Sequence, residues 1–295
     1  MPELPEVQTT VNGINETLQD AVIADVCHNW ERMFRDNSYA KVRKIVRGAT
    51  IKNASRRGKH ILIHLNNKHS IIVHMKMTGH LMVGIYKKTK IGFVPADNTS
   101  PLADPFNRFI HVVFSLQDGR SLVFCDARKF GKISIEVTEH LPHSPLLSHL
   151  GPEPLDANIT ASIFAKCIQS KPKAKIKSVL LDQSVIAGIG NIYSDELLWL
   201  SKVHPESRVQ NIPHTLFSIL FKNTQTVLLN GLEFGGDSTS DYRNIHGESG
   251  VSHKHHQVYQ RKGKKCLRRG CTGIIERIVV GARSTHFCPI CQVQY

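Results

Sequence analysis

The sequence has no long apolar run, and neither a signal peptide nor a lipidation motif is recognised in it. Membrane binding is therefore the weaker reading, and a protein that is not secreted is expected. Acidic charge is scarce as well: 24 Asp and Glu stand against 38 Lys and Arg, a formal charge of +14 with a sequence pI near 9.6. The shortage is local, because residues 41–59 hold eight Lys or Arg and no acid, while residues 254–283 hold nine against the single Glu276. Two basic surfaces follow, and a polyanion, by default nucleic acid, is the partner they fit. The seven cysteines are odd in number and accompany no secretory signal, which argues against a disulfide framework and for a reducing, cytoplasmic compartment. At 295 residues, 41% of them apolar, the chain has room for two domains and a small appendage.

Four cysteines form a pattern. Cys266, Cys271, Cys288 and Cys291 are spaced C-x4-C, sixteen residues, C-x2-C, two close pairs that tight turns can gather around one tetrahedral zinc ion without a large core. Between them Ile274, Ile275, Ile278, Val279 and Val280 make β-rich arms around Gly281, and Arg283 follows near the hairpin tip. An arginine there is placed to clamp a phosphate with its fork of donors. Cys27, Cys125 and Cys167 sit in apolar contexts and read as core. His253, His255 and His256 are not needed as metal ligands, since the cysteines complete the set.

Periodicity divides the rest. Val7, Val11, Ile14 and Leu18 recur at helical spacing. Residues 60–85 alternate as strands, and residues 109–116 and 121–125 form a hairpin through Asp118-Gly119. The insert 86–108 is polar and Pro-containing and reads as a surface loop. Residues 136–158 concentrate Pro142, Pro145, Pro152 and Pro154, marking a linker, after which the apolar spacing is helical. Residues 187–193, with Gly188, Gly190 and Asn191, interrupt two helices. Such a loop can bring backbone N–H groups to a phosphate; a dinucleotide fingerprint would need a preceding strand and a third glycine. Residues 235–256 lack apolar periodicity and are expected to be mobile.

The first residues carry the chemistry. Once Met1 is removed, Pro2 presents a free secondary amine, a nucleophile able to form an iminium with an aldehyde carbon. Glu3 lies beside it. The positive end of the following helix disfavours an ammonium, so an amine of reference pKa roughly 7.7 to 8 should be neutral more often near pH 7.

The string PELPEV resembles the opening of the bacterial formamidopyrimidine-DNA glycosylases, of the family that also includes endonuclease VIII. The resemblance continues in order through SRRGK (Lys59), HMKMTG (His74, Met77), DARKFG (Arg128, Phe130), LLDQSVIAGIGNIYSDELLW (Asn191) and GARSTHFCPICQ (Arg283). Two departures are the x4 loop at residues 267–270, where the family usually has C-x2-C, and Phe109, where relatives often carry a histidine.

The resemblance implies an α+β multidomain chain: an N-terminal catalytic β-sandwich with a leading helix (1–135), a linker (136–158), a helical helix–two-turn–helix DNA-binding domain (159–240), a flexible lesion-capping loop (241–258) and a C-terminal zinc-ribbon β-hairpin (259–295). It implies Pro2 as nucleophile and Glu3 as acid/base, with Lys59 and Arg283 assisting elimination. His74, Asn191 and Lys173, with Lys171 and Lys177 nearby, would contact phosphates. Met77, Arg128 and Phe130 would fill the space of the extruded base. The expected activity is a bifunctional DNA glycosylase and abasic-site lyase of base excision repair that removes 8-oxoguanine and formamidopyrimidines. The expected cofactor is one structural zinc, with no organic cofactor. The expected partner is damaged double-stranded DNA, bound by a monomer in the bacterial nucleoid, with no membrane involvement. An endonuclease VIII-like enzyme for oxidised pyrimidines and a non-catalytic DNA-damage-binding protein remain the alternatives.

Overall fold

Helix α1 (Leu4–Leu18) starts where a capping box forms: the Glu3 carboxylate accepts a backbone N–H from the first turn, while Glu6 reaches back to the Glu3 N–H at 2.7 Å. The expected stripe of Val7, Val11, Ile14 and Leu18 is buried. The computed structural model describes residues 1–34, 37–90 and 92–295. They divide into two compact units, Met1–Ser148 with Leu232–His253, and His149–Gly231 with Lys254–Tyr295.

The first unit continues through β1 (Ile23–His28), α2 (Tyr39–Val46), β2 (Ile51–Arg57), β3 (His60–Leu65), β4 (His69–His74), β5 (Gly79–Gly84), β6 (Tyr86–Thr89), β7 (Gly92–Pro95), β8 (Ile110–Leu116), β9 (Ser121–Asp126) and β10 (Lys132–Val137). Two four-stranded antiparallel sheets, ordered β1-β8-β9-β5 and β10-β4-β3-β2, make the sandwich. Alternation decides the inner faces: Ile61, Ile63, Ile71, Val73 and Ile133 of one sheet meet Leu81, Val112, Phe114, Leu122 and Phe124 of the other in one core, which α1 joins. Gly119, at φ 87°, turns the β8–β9 hairpin.

Three segments differ from the sequence reading. The basic run after residue 40 includes a helix, α2, capped by the Ser38 hydroxyl and held by buried Val42 and Val46; two anchors in eight residues are too few to register as a period. The insert 86–108 is not a bare loop. It contains the β6–β7 hairpin and two short 3-10 turns, and Tyr86, Phe93 and Leu102 pack against Met82, Val113 and Val123 on the outer face of the first sheet.

The stretch 235–256, expected to be mobile for want of apolar periodicity, has three anchors that no period reveals. Ile245 enters the sandwich core and its carbonyl accepts the Val83 N–H at 2.8 Å. The Tyr242 hydroxyl donates to the Glu6 carbonyl at 3.0 Å. The Arg243 guanidinium pairs with Asp104 at 3.2 Å and stacks over the Phe106 ring.

The second unit holds α3 (Ala161–Gln169), α4 (Ile176–Leu181), α5 (Asn191–Leu200), most of α6 (Thr215–Glu233) and a C-terminal hairpin, β11 (Glu276–Val280) and β12 (Arg283–Phe287). Val280 pairs with Arg283 across Gly281 and Ala282, both at positive φ, so the tip is a two-residue turn of the type that follows strand twist. Of the remaining cysteines, Cys125 is buried as expected, whereas Cys27 and Cys167 are only half-buried. Burial pushes the Cys125 thiol up to about 12.

Candidate catalytic and nucleic-acid site

The sequence-derived residues fall on both units. In the first, Pro2 and Glu3 are buried at the start of α1. Sequence reasoning gave Glu6 no role, yet its two carboxylate oxygens accept two backbone N–H groups, that of Glu3 at 2.7 Å and that of Asp237 at 2.7 Å. One side chain thus ties the residue following Pro2 to the returning segment. The signal was present in the Glu3-x-x-Glu6 spacing, a capping-box pattern with Glu in place of the usual hydroxyl residue.

Lys59 occupies the two-residue turn between β2 and β3 and is almost fully buried. Gly58 before it has φ 55° and Lys59 does not share the positive φ, the pattern of a turn with glycine at its first central position. Asn15 and Gln8 of α1 fix this hairpin: Asn15 exchanges hydrogen bonds with the Ala54 backbone at 2.6 and 3.0 Å, and Gln8 accepts from Arg56 at 3.0 Å. The elements carrying Pro2, Glu3 and Lys59 are therefore pinned to each other.

At the end of β4, His74 packs edge-on against His60 with ring centroids 4.6 Å apart. Burial, then the neighbouring His60, Lys76 and Lys59, holds its imidazole pKa well below the ordinary value. The ring is neutral near pH 7. Its Nδ1 accepts the Lys76 N–H at 3.0 Å, so the proton sits on Nε2, a donor suited to a phosphate oxygen. An open cavity of about 410 Å³ beside it is lined in part by His60, His74, Lys76 and Lys132.

Met77, Arg128 and Phe130 converge. The Arg128 guanidinium stacks over Phe130 at 4.8 Å and its Nη1 lies 3.3 Å from the Met77 sulfur. Met77 and Phe130 are 36% and 47% exposed. The loop presenting them is rigid: Asp126 accepts the N–H of Gly131 at 2.7 Å and of Arg128 at 3.2 Å, and receives the Thr78 hydroxyl.

In the second unit, Gly188 at φ 91° lets the chain turn between α4 and α5, and the Gln183 amide staples the loop through the Gly188 N–H and the Ile189 carbonyl, at 2.9 and 2.8 Å. Asn191 opens α5. Its Nδ2 donates to the Ser284 carbonyl at 2.9 Å, which brings it beside Arg283, and its buried Oδ1 has no hydrogen-bond partner among the described residues. Arg283 itself is exposed on the hairpin, as is Lys173 on its loop. Of the two neighbouring lysines, Lys171 is exposed and pairs with Asp182, whereas Lys177 is fully buried against Asp195 and lies off the surface. Asp195 also accepts the His286 N–H at 2.9 Å, locking α5 to β12. Nothing in the sequence distinguishes Lys177 from its exposed neighbours except that it falls within the buried spacing of α4.

The four cysteine sulfurs lie within 4.8 Å of one another, with Cys266 to Cys291 at 3.9 Å and Cys271 to Cys288 at 3.6 Å. Tetrahedral Zn–S bonds of about 2.3 Å put sulfurs about 3.8 Å apart, so the four fit one structural zinc. When bound, the ion cross-links the two knuckles at the foot of the hairpin that carries Arg283.

Three family descriptions match the chain in order: the formamidopyrimidine-DNA glycosylase N-terminal domain over residues 1–133, the helix–two-turn–helix domain of that enzyme over residues 150–243, and the zinc finger shared with isoleucyl-tRNA synthetase over residues 263–293. Curated relatives named formamidopyrimidine-DNA glycosylase include those of Herpetosiphon aurantiacus, 39% identical over 99% of this chain and 100% of its own, and Streptococcus pneumoniae, 35% identical over 99% of both. Among solved structures, Lactococcus lactis enzyme bound to DNA containing an abasic site superposes with a TM-score of 0.86 at 29% identity, over 98% of this chain and 99% of that one. A mutant of the same enzyme with Fapy-dG DNA gives 0.86 at 30% identity, over 99% of both chains. With its three family segments in this order and full-length relatives above 30% identity, the chain belongs to the formamidopyrimidine-DNA glycosylase family.

Proposed function

We propose that this protein is a bifunctional DNA glycosylase and abasic-site lyase that excises oxidised purines from duplex DNA. The observation that carries the reading is the fixed amino terminus, in which Glu3 caps α1 and Glu6 holds the Glu3 N–H. That clamp fixes the approach of Pro2, and a near-attack geometry is what makes an intramolecular-like addition fast. After removal of Met1, the Pro2 nitrogen adds to C1′ of an extruded deoxynucleotide as the C1′–N bond to the damaged base breaks. The C1′–O4′ bond then breaks and the ring opens to an iminium, the departing base and O4′ taking protons from the Pro2 amine and the Glu3 carboxyl. The resulting iminium acidifies the C2′ proton, and β- then δ-elimination expel the two flanking phosphates. Glu3 serves as the acid/base. Lys59, His74, Lys173, Asn191 and Arg283 hold phosphates, and Met77, Arg128 and Phe130 occupy the vacated stack, offsetting an unstacking cost of a few kcal/mol. A duplex-DNA substrate supports a cytoplasmic, nucleoid-associated place for the chain.

The test is borohydride trapping on duplexes that each carry one lesion. The wild-type chain should be trapped covalently on 8-oxoguanine DNA, and Pro2→Gly or a retained Met1 should weaken trapping. Full strand scission by a chain with a blocked Pro2 nitrogen would refute the mechanism. Tight binding without trapping would assign the protein to damage sensing. A Lactococcus lactis relative has been solved with DNA containing an oxidised pyrimidine, so the panel includes one; faster cleavage there would reassign the substrate.

A further inference from the structure

The first zinc knuckle holds four residues between Cys266 and Cys271, two more than the second holds between Cys288 and Cys291, and the longer loop is not idle. Arg268, inside the x4 loop, points its guanidinium back over the metal centre. Its Nε lies 3.3 Å from the Cys291 sulfur, its Nη2 donates to the Trp199 carbonyl, and its plane stacks on the Trp199 ring at 4.5 Å. Trp199 in turn directs its indole N–H at the Cys266 sulfur, 3.3 Å away. One ligand from each knuckle, Cys266 and Cys291, thus receives a side-chain N–H donor, and the two donors are stacked on each other. Arg269, the next residue, is exposed and has no such contact among the described residues.

Four thiolates around one divalent ion carry a net charge of −2 in a partly buried place. A guanidinium is always protonated and weakly hydrated, so it can lie against such a centre at little desolvation cost, and hydrogen bonds to the sulfurs fix ligand orientation. The same side chain adds a donor to the Trp199 carbonyl at the C-terminal end of α5, which also accepts the Lys202 N–H at 3.1 Å, and cations are favoured at that end. We propose that Arg268 and Trp199 form a latch that slows metal release and fastens the end of α5 to the zinc ribbon, making Arg268 a positioning residue supplied by the four-residue loop.

The experiment uses the full-length zinc-loaded protein and measures transfer of zinc to a chromogenic chelator under native conditions. Arg268→Ala should release zinc about tenfold or more faster than wild type, the range typical for loss of a ligand's hydrogen-bond partner. Arg269→Ala removes the same charge one residue on and should release at the wild-type rate. Equal rates for Arg268→Ala and wild type, or equal acceleration by both variants, would overturn the proposal. Should Arg268→Ala not fold, Trp199→Phe carries the same test, since it keeps an aromatic ring and deletes only the donor to Cys266; acceleration supports the latch and a wild-type rate refutes it.

Discussion

Replacing Lys177 by Met is the sharpest probe of what holds α4, α5 and β12 of the second unit together. The Lys177 ammonium and the Asp195 carboxylate are both fully buried, and Asp195 is further engaged by the His286 N–H at 2.9 Å and the His286 ring at 3.3 Å. Removing the lysine charge leaves a carboxylate stranded away from water, which costs about 3 to 5 kcal/mol when one partner of a buried pair is deleted. The retained bond from His286 offsets part of this, so the expected loss is near the lower end, about 3 kcal/mol. Against a typical total of roughly 5–15 kcal/mol, that is large. Asp195→Asn alone should cost a similar amount, because it strands the buried Lys177 ammonium, and Lys177→Met with Asp195→Asn should recover most of the single-mutant loss since neither charge remains. Urea unfolding followed by Trp199 fluorescence in a Trp30→Phe background reads the second unit, because the chain has just two tryptophans. A Lys177→Met protein within about 1 kcal/mol of its parent, or a double variant losing the sum of the singles, contradicts the reasoning.

Three further expectations concern the first unit and its surface. Burial depresses the His80 imidazole to about 4 from 6.5; the unfolded state then binds the extra proton between those values, so stability is complete above about pH 6.5 and falls toward pH 4, by on the order of 3 kcal/mol. His80→Gln should flatten that slope in melts run from pH 7.5 to 5, and an unchanged slope would exclude His80 as its source. Phe130→Ala should leave the melting temperature almost unchanged, because the ring is exposed, while lowering kcat/KM on lesion duplexes about tenfold or more, in line with about 1–3 kcal/mol per stacked base; unaltered turnover would remove it from the site. Ile245→Ala should cost about 2–5 kcal/mol and open residues 235–253 to limited proteolysis, and a protease-resistant variant would show that other anchors suffice.

What could be read in advance was whatever repeats or pairs locally. The α1 stripe, the Asp118-Gly119 hairpin, the cysteine pairs and the glycine turn before Asn191 each declare themselves within a few residues. What escaped reading depends on partners distant in sequence. Tyr86, Phe93 and Leu102 are anchors scattered through a polar insert, and they show no period because they fill gaps on an already formed sheet. Lys177 looks like any lysine until Asp195 is opposite it. Glu6 falls in the helix-opening string, but its second bond goes to Asp237, 231 residues away. The exposure of Met77 and Phe130 is equally invisible, since both types are ordinarily core.

The chain order of the two units has a consequence for how the molecule is made. Because the second unit consists of residues 149–231 and 254–295, a nascent polypeptide emerging from the ribosome cannot close it until the last cysteine pair has been synthesised. The sandwich is in a similar position, lacking Ile245 from its interior until five-sixths of the polymer exists. Both bodies therefore mature late and close together in time, which favours release of finished enzyme over a half-built protein that exposes a basic surface with no chemistry behind it.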